Sequence, residues 1–264
     1  IQLAVPNILS SLVMVLYNLA DTYFVGMLND PIQNSAVTLA APVLLAFNAV
    51  NNLFGVGSSS LMSRSPGCKD YDLVSRSSAF GFYCALFSGI IFSILCASFN
   101  APLLGLLGAD ETTWDATAAY MLWTVYFGAA PSILNVVLAY LVRAEGSSVH
   151  ASIGTMSGCL LNIVLDPIFI FALGMGVRGA ALATVLAQGC SALWVLKFLT
   201  GRRALLRLRW NTLRLQAARV RRILALGTSG FVMSMTNSLV QVLCNASLQH
   251  YGGDLYVGVM TVIN

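Results

Sequence analysis

The chain has 264 residues, 58% hydrophobic and only 9% charged, with a mean hydropathy of +0.80 and a formal net charge of +4. Ordinary soluble domains carry roughly 25% charged residues, so a soluble enzyme is excluded. A spanning helix takes about 20 apolar residues at 1.5 Å each, which gives this length room for about six to eight spans. Transmembrane β-barrels alternate in segments of about 10 residues, whereas the apolar runs here are continuous and longer. The expected class is an all-α polytopic membrane protein.

Seven apolar segments are predicted in chain order: Ile1 to Leu28, Ala36 to Met62, Ser78 to Leu104, Ala116 to Val142, Ser152 to Leu173, Val177 to Leu199 and Ile223 to Leu248. The first is too long for the apolar region of a signal peptide and has no cleavage-like end, so it reads as a span. It begins without a flanking loop, and Tyr256 to Asn264 opens an eighth run, so both ends read as cut from a longer chain. Three regions are expected: a six-helix transmembrane bundle over 1–200, a basic amphipathic linker over 201–222, and the start of a second bundle over 223–264.

Basic residues sort by alternate loops. Arg64, Lys69, Arg76, Arg143, Lys197 and the eight arginines from Arg202 to Arg222 fall on one side, and only Arg178 on the other. The positive-inside rule makes the first side cytoplasmic and puts the N-terminus inside. Between Arg202 and Arg222 there is no acidic residue, and Leu206, Leu213 and Val220 recur every seven positions beside Arg207, Arg214 and Arg221. That pattern fits a short helix on the anionic inner leaflet. A loop pinned to the membrane at both ends is a poor nucleic-acid site, and none is expected.

Cys68, Cys84, Cys96, Cys159, Cys190 and Cys244 include no C-x-x-C pair, and all but Cys68 lie in apolar runs, as small core residues do. No structural metal site is expected. Gly81, Ala85 and Gly89 in the third span, and Gly154 and Gly158 in the fifth, are read as small residues that let helices approach.

Of ten acidic residues, Asp21 and Asp166 alone sit away from loops and span ends. Each costs roughly 2.5–3.5 kcal/mol at a helix centre on insertion scales, which makes an intramembrane carboxylate a functional-site candidate. Both lie seven residues from the outer end of their spans, about 10 Å below the outer interface. Tyr17 and Asn162 precede them by four residues and share their helix faces. Thr184 falls at that level on the descending sixth span, and Tyr120 enters near it from the fourth. Pro167 lacks the amide donor that would bond the carbonyl of Ile163, so a freed carbonyl and a kink are expected beside Asp166. Pro6 reads equally as a bend in the first span or as a helix-start residue.

Low dielectric and a second carboxylate nearby both penalise the charged form of such a group, which suits it to exchange a proton for a cation. The oxygens of Asp21, Asn162, Asp166 and Thr184 also form a set able to hold a transported Na⁺.

The strings LYNLADTYFVG (16–26), RAEGSSVHA (143–151), LNIVLDPIFIFALGMGVRGAALAT (161–184) and QHYGGD (249–254) resemble the multidrug and toxic compound extrusion (MATE) family over essentially the whole chain. The family has twelve spans in two six-helix bundles facing a central cleft, so the resemblance implies the N-terminal bundle plus span seven and the start of span eight. It implies cation coupling at Asp21 and Asp166, a hydrogen-bonded cluster with Tyr17, Asn162, Thr184 and Tyr120, and a bending proline at Pro6. Where the family has a proline shortly after a glycine in span seven, this chain reads Gly227, Thr228, Ser229, Gly230.

The expected function is a secondary active antiporter rather than an enzyme. It would export organic compounds, cations foremost, across the bacterial inner membrane in exchange for H⁺ or Na⁺, as a monomer of the full-length chain and without a cofactor. A lipid-linked precursor flippase of the same superfamily is the alternative. An intramembrane aspartyl protease is disfavoured, because Ala20 and Leu165 precede the aspartates where such enzymes carry Y-D and G-x-G-D patterns.

Overall fold

The computed structural model describes residues 4–28, 30–64, 71–200 and 217–263. Nine α-helices cover most of them: α1 (Ala4–Gly26), α2 (Pro31–Arg64), α3 (Tyr71–Ser98), α4 (Asn100–Leu107), α5 (Trp114–Met121), α6 (Ala129–Ala144), α7 (Ser148–Pro167), α8 (Val177–Thr200) and α9 (Ala217–Ile263). Among the described residues, six stretches are long and apolar enough to cross a membrane, and seven if the bent pair Trp114–Phe127 and Ala129–Ala144 is one span. The seven expected segments are therefore present. Most of the basic linker, from Arg202 to Gln216, lies outside the described residues, as do Cys68 and Lys69.

Two spans are broken where one continuous helix was expected, and a proline explains each break. The third ends at Ser98 and restarts as α4 at Asn100; Pro102 has no N–H for the Ser98 carbonyl and clashes with it. The fourth passes from α5 through a π-helical turn, Leu122–Phe127, and bends 51° into α6. There Pro131 stands four residues after Phe127, within the first turn of α6, where its missing N–H costs nothing. No turn separates a seventh from an eighth span: α9 runs unbroken from Ala217 to Ile263, with no proline in that stretch.

α2 is the central post, packing against α3, α5, α6 and α9, while α7 packs on α1 and α8. Pro31 occupies the first position of α2, and Asp30 Oδ1 accepts from the Ile32 N–H at 3.0 Å, capping the helix. Asp30 Oδ2 accepts from Gln33 Nε2 at 2.8 Å, and Gln33 Oε1 accepts from the Val177 N–H at 3.0 Å, tying the starts of α2 and α8 together. The turn into α8 needs Gly176 at φ +58, and the α6–α7 turn needs Gly146 at φ +92, a region that favours glycine.

The small-residue reading holds. A Cβ on Gly158 would stand 2.9 Å from Ser191 Cβ and 3.1 Å from the Ala187 carbonyl, and one on Gly154 would stand 2.8 Å from Val195. α7 and α8 are thus in glycine-dependent contact. Gly81 lies in the same way against Ser58 of α2, and Gly89 against Ile133 of α6.

Arg64, Arg76, Arg143 and Lys197 lie at one end of the bundle, on the ends of α2, α3, α6 and α8. Asp30, Asp110, Glu111 and Arg178 lie at the other. The first is called the basic end below.

Candidate coupling site

Polar side chains on a span are costly towards lipid, so the helices that carry them turn those faces inward. On α1, Leu12, Leu16 and Leu19 are 55–62% exposed, whereas Tyr17 and Asp21 line an internal cavity of about 380 Å³. That volume lies in the range of small-molecule sites. α2, α5, α6, α7 and α8 complete the walls.

Tyr17, Asp21, Tyr120, Asn162 and Thr184, grouped by depth from the sequence, all face this one cavity. Asp166 does not. It is fully buried behind Asn162, near enough to Asp21 for their charges to interact. Both ends of the Asn162 amide are satisfied in one orientation. Its Nδ2 donates to Asp166 Oδ2 at 2.8 Å, while its Oδ1 accepts from Thr184 Oγ1 at 3.2 Å and from the Thr184 N–H at 3.1 Å. The Thr184 hydroxyl also lies 3.0 Å from the Ala180 carbonyl, so a single hydrogen serves two acceptors. Tyr17 sits beside Thr184, and Tyr120 lies within electrostatic reach of Asp21, Tyr17 and Asp166.

Asp21 is half-buried, and its Oδ1 is enclosed with no hydrogen-bond partner among the described residues. A buried carboxylate oxygen without a donor is costly. A proton or a cation at that oxygen removes the cost. The two aspartates thus have different settings: Asp21 lines the cavity and has one enclosed oxygen unpartnered among the described residues, whereas Asp166 is buried and bridged through Asn162 to Thr184.

The proline readings resolve into positions. Pro167 closes α7 and leads directly into a second π-helical turn, Ile168–Ala172, so the disturbance appears as a widened turn within a span that continues to Ala172. Such widened turns are frequent at functional sites. Pro6 is the third residue of α1, and its carbonyl accepts from Ser10 Oγ at 2.9 Å.

The sequence reading missed the rest of the lining. Asn18, Asn48, Asn135, Thr155 and Gln188 extend the cavity from the aspartate level towards the basic end. Asn135 is held by Ser191 Oγ at 2.7 Å, and the same hydroxyl lies 2.8 Å from the Gly154 carbonyl. No lysine or arginine lines the cavity among the described residues, and no group of three or more His, Cys, Asp or Glu among them is placed to hold a metal ion.

The chain matches the MatE family model over residues 6–168. It is 31% identical over 250 residues to the multidrug export protein MepA of Staphylococcus aureus (strain MSSA476), covering 94% of this chain and 55% of that protein. A MepA of Staphylococcus haemolyticus (strain JCSC1435) is 30% identical over the same shares. This chain therefore spans about half the length of these relatives. Among solved structures, an inward-facing multidrug resistance MATE family transporter of the MOP superfamily superposes with a TM-score of 0.87 at 29% identity, over 93% of this chain and 56% of that one. An outward-facing one gives 0.87 at 29% identity over 98% and 57%. The MATE multidrug transporter DinF-BH gives 0.93 at 28% identity over 100% and 59%. With an all-helical multi-span architecture and a family-model match over most of its length, the chain belongs to the MATE family.

Proposed function

We propose that this chain forms the N-terminal part of a secondary active exporter. It moves small organic compounds, cations foremost, out of the cell across the bacterial inner membrane in exchange for an inward-moving cation. The basic end of the bundle faces the cytoplasm, and so does the start of α1. One full-length chain suffices, by two bundles rocking about a common cleft.

The observation that carries this reading is the cavity: an aspartate with an unpartnered oxygen is among its lining residues, a second is bridged behind, and no basic side chain among the described residues offsets them. The lining suits cations. It argues against the flippase alternative, because a lipid-linked precursor with a pyrophosphate group calls for a cationic site. Asp21 takes the ion from the cavity. Asn162, bonded to Asp166 at one end and Thr184 at the other, transmits the change of charge between α7 and α8. H⁺ is the favoured ion, because a proton on the carboxyl removes the cost of the unpartnered Asp21 oxygen without further ligands, whereas Na⁺ requires the oxygens of Asn162 and Thr184 to join the carboxylates.

The test uses the chain in its natural full length in proteoliposomes, following efflux of a fluorescent organic cation under an imposed pH gradient and, separately, an imposed Na⁺ gradient. Flux driven by one gradient and reduced at least tenfold in Asp21→Asn and in Asp166→Asn, with normal membrane insertion, is expected. Unchanged flux in both variants overturns the site assignment. Absence of gradient-driven flux for every cation tried shifts the reading to the flippase.

A further inference from the structure

An amide that lines a cavity selects its ligand only when it is held one way round; a freely turning one offers its N–H donors and its carbonyl oxygen equally. Among the described residues, Asn18, Asn48 and Gln188 line the cavity with no side-chain hydrogen bond, so each can turn. Asn135 on α6 is held. One end of its amide lies 2.7 Å from Ser191 Oγ on α8. The other end has no partner among the described residues and is not enclosed, so it faces the cavity that Asn135 lines.

The supply of hydrogens fixes which end this is. Ser191 Oγ stands 2.7 Å from the amide and 2.8 Å from the Gly154 carbonyl, and a hydroxyl has one hydrogen. The carbonyl has none to give. Ser157 Oγ, 2.9 Å from that carbonyl, is a further donor to it and supplies nothing to Ser191. Two oxygens 2.8 Å apart with no hydrogen between them repel, so the Ser191 hydrogen lies on the Gly154 contact. The amide must then bring the hydrogen to its own contact. Nδ2 of Asn135 donates to Ser191 Oγ, and Oδ1 faces the cavity; the two amide ends have the same shape, and the hydrogen-bond network assigns them.

The close packing of α7 on α8 builds this arrangement. A Cβ on Gly158 would stand 2.9 Å from Ser191 Cβ, so the absence of one lets Ser191 reach the Gly154 carbonyl. Ser191 is buried and does not itself line the cavity. It lies seven residues beyond Thr184 on α8, which puts the Asn135 amide about 10 Å from the aspartate level towards the basic end. An elongated cation can therefore meet Asp21 and Asn135 together. An N–H at its far end satisfies the Asn135 oxygen, whereas a fully alkylated nitrogen has no hydrogen to give and leaves that oxygen desolvated and unpaired.

Resting on the reading of the chain as an exporter of organic cations, we propose that Asn135 is a specificity-determining residue: its Oδ1 accepts an N–H from the substrate, which selects elongated cations bearing N–H groups, such as protonated amines and amidines, over their fully N-alkylated counterparts. Ser191 is the positioning residue that holds the oxygen towards the cavity.

The test measures equilibrium binding of two fluorescent cations to the full-length protein in detergent. One is a rhodamine methyl ester whose two nitrogens are unsubstituted; the other is tetramethylrhodamine methyl ester, with the same skeleton and charge but methyl groups in place of the N–H hydrogens. Ser191→Ala lets the amide turn and is expected to lower the affinity for the N–H probe relative to the methylated one about fivefold, the worth of one hydrogen bond. Asn135→Ala is expected to lower the ratio by at least as much, and adding Ser191→Ala to it changes the ratio no further, because Ser191 acts through Asn135. Asn135→Asp keeps an oxygen towards the cavity and is expected to retain the preference. A loss of packing alone weakens both probes alike and leaves the ratio unmoved. An unchanged ratio in Ser191→Ala, or one shifted towards the N–H probe, overturns the assignment; if that variant does not fold, an unchanged ratio in Asn135→Ala overturns it. A wild-type protein that binds neither probe overturns both this inference and the cation reading beneath it. One that binds both but shows no gradient-driven flux ends the antiport reading alone, while the ratio still decides the role of Asn135.

Discussion

Asn162 holds a position that neither carboxylate could fill. Its amide donates to Asp166 and accepts from Thr184, joining two helices at the floor of the aspartate level. Hydrogen bonds to charged groups are worth about 1.5–3 kcal/mol, so Asn162→Leu, which removes the donor and leaves Asp166 buried alone, is expected to lower both efflux and melting temperature. Thr184→Ser keeps the hydroxyl and is expected to retain most activity, whereas Thr184→Val is expected to lose it; proteoliposome efflux across the three variants checks the ordering. The aspartates were legible in the sequence because a charge inside a span is expensive and therefore rare. Asn48 and Asn135 were not, because neutral amides insert at modest cost and nothing in their spacing separates one that faces a cavity from one that faces a neighbouring helix. Asp166 was legible as an intramembrane carboxyl, but its seclusion behind Asn162 was not, since depth along a helix says nothing about which side chain stands in front.

At the scale of helices, the apolar runs gave span number and order, and the prolines decided where spans break. Pro102 and Pro131 produce the two interruptions that hydropathy alone reads as continuous, because a missing N–H and a clash at the preceding turn do not change how apolar a segment is. The glycines divide more cleanly. A Cβ on Gly158 would stand 2.9 Å from Ser191 Cβ and 3.1 Å from the Ala187 carbonyl, both closer than van der Waals contact, so Gly158→Leu is expected to push α7 from α8 and cost at least about 1–3 kcal/mol. Gly105, inside α4, has nothing within 4 Å of a Cβ, and Gly105→Ala is expected to stabilise by about 0.5–1 kcal/mol through helix propensity. Thermal unfolding in one detergent, comparing the two variants with wild type, gives opposite shifts if glycine spacing in α7 serves packing.

For the whole molecule, the decisive seam lies between α2 and α9. Asn52 Nδ2 donates to Ser234 Oγ at 3.1 Å, and Ser238 Oγ donates to the Pro42 carbonyl at 2.8 Å. Gly57 lies against the Ile223 carbonyl and Gly227 against that of Leu53. These contacts run from Pro42 to Gly57, about 22 Å along α2, most of the thickness of a bilayer core. A seam that long cannot open at one end without exposing close-packed glycine backbone. The seam is expected to stay closed through the transport cycle, α9 travelling with the bundle while the pivot lies elsewhere. A Cβ on Gly230 would stand 3.7 Å from Asn52 Cβ, close to the mean separation in disulfides of about 3.8 Å. The double variant Asn52→Cys, Gly230→Cys should therefore cross-link, and its efflux when oxidised is expected to stay within about twofold of the same protein when reduced. The comparison within one variant removes the effect of losing Asn52. Efflux abolished by oxidation and restored by reductant would instead place the opening of the cleft at this seam and make α9 part of the moving half.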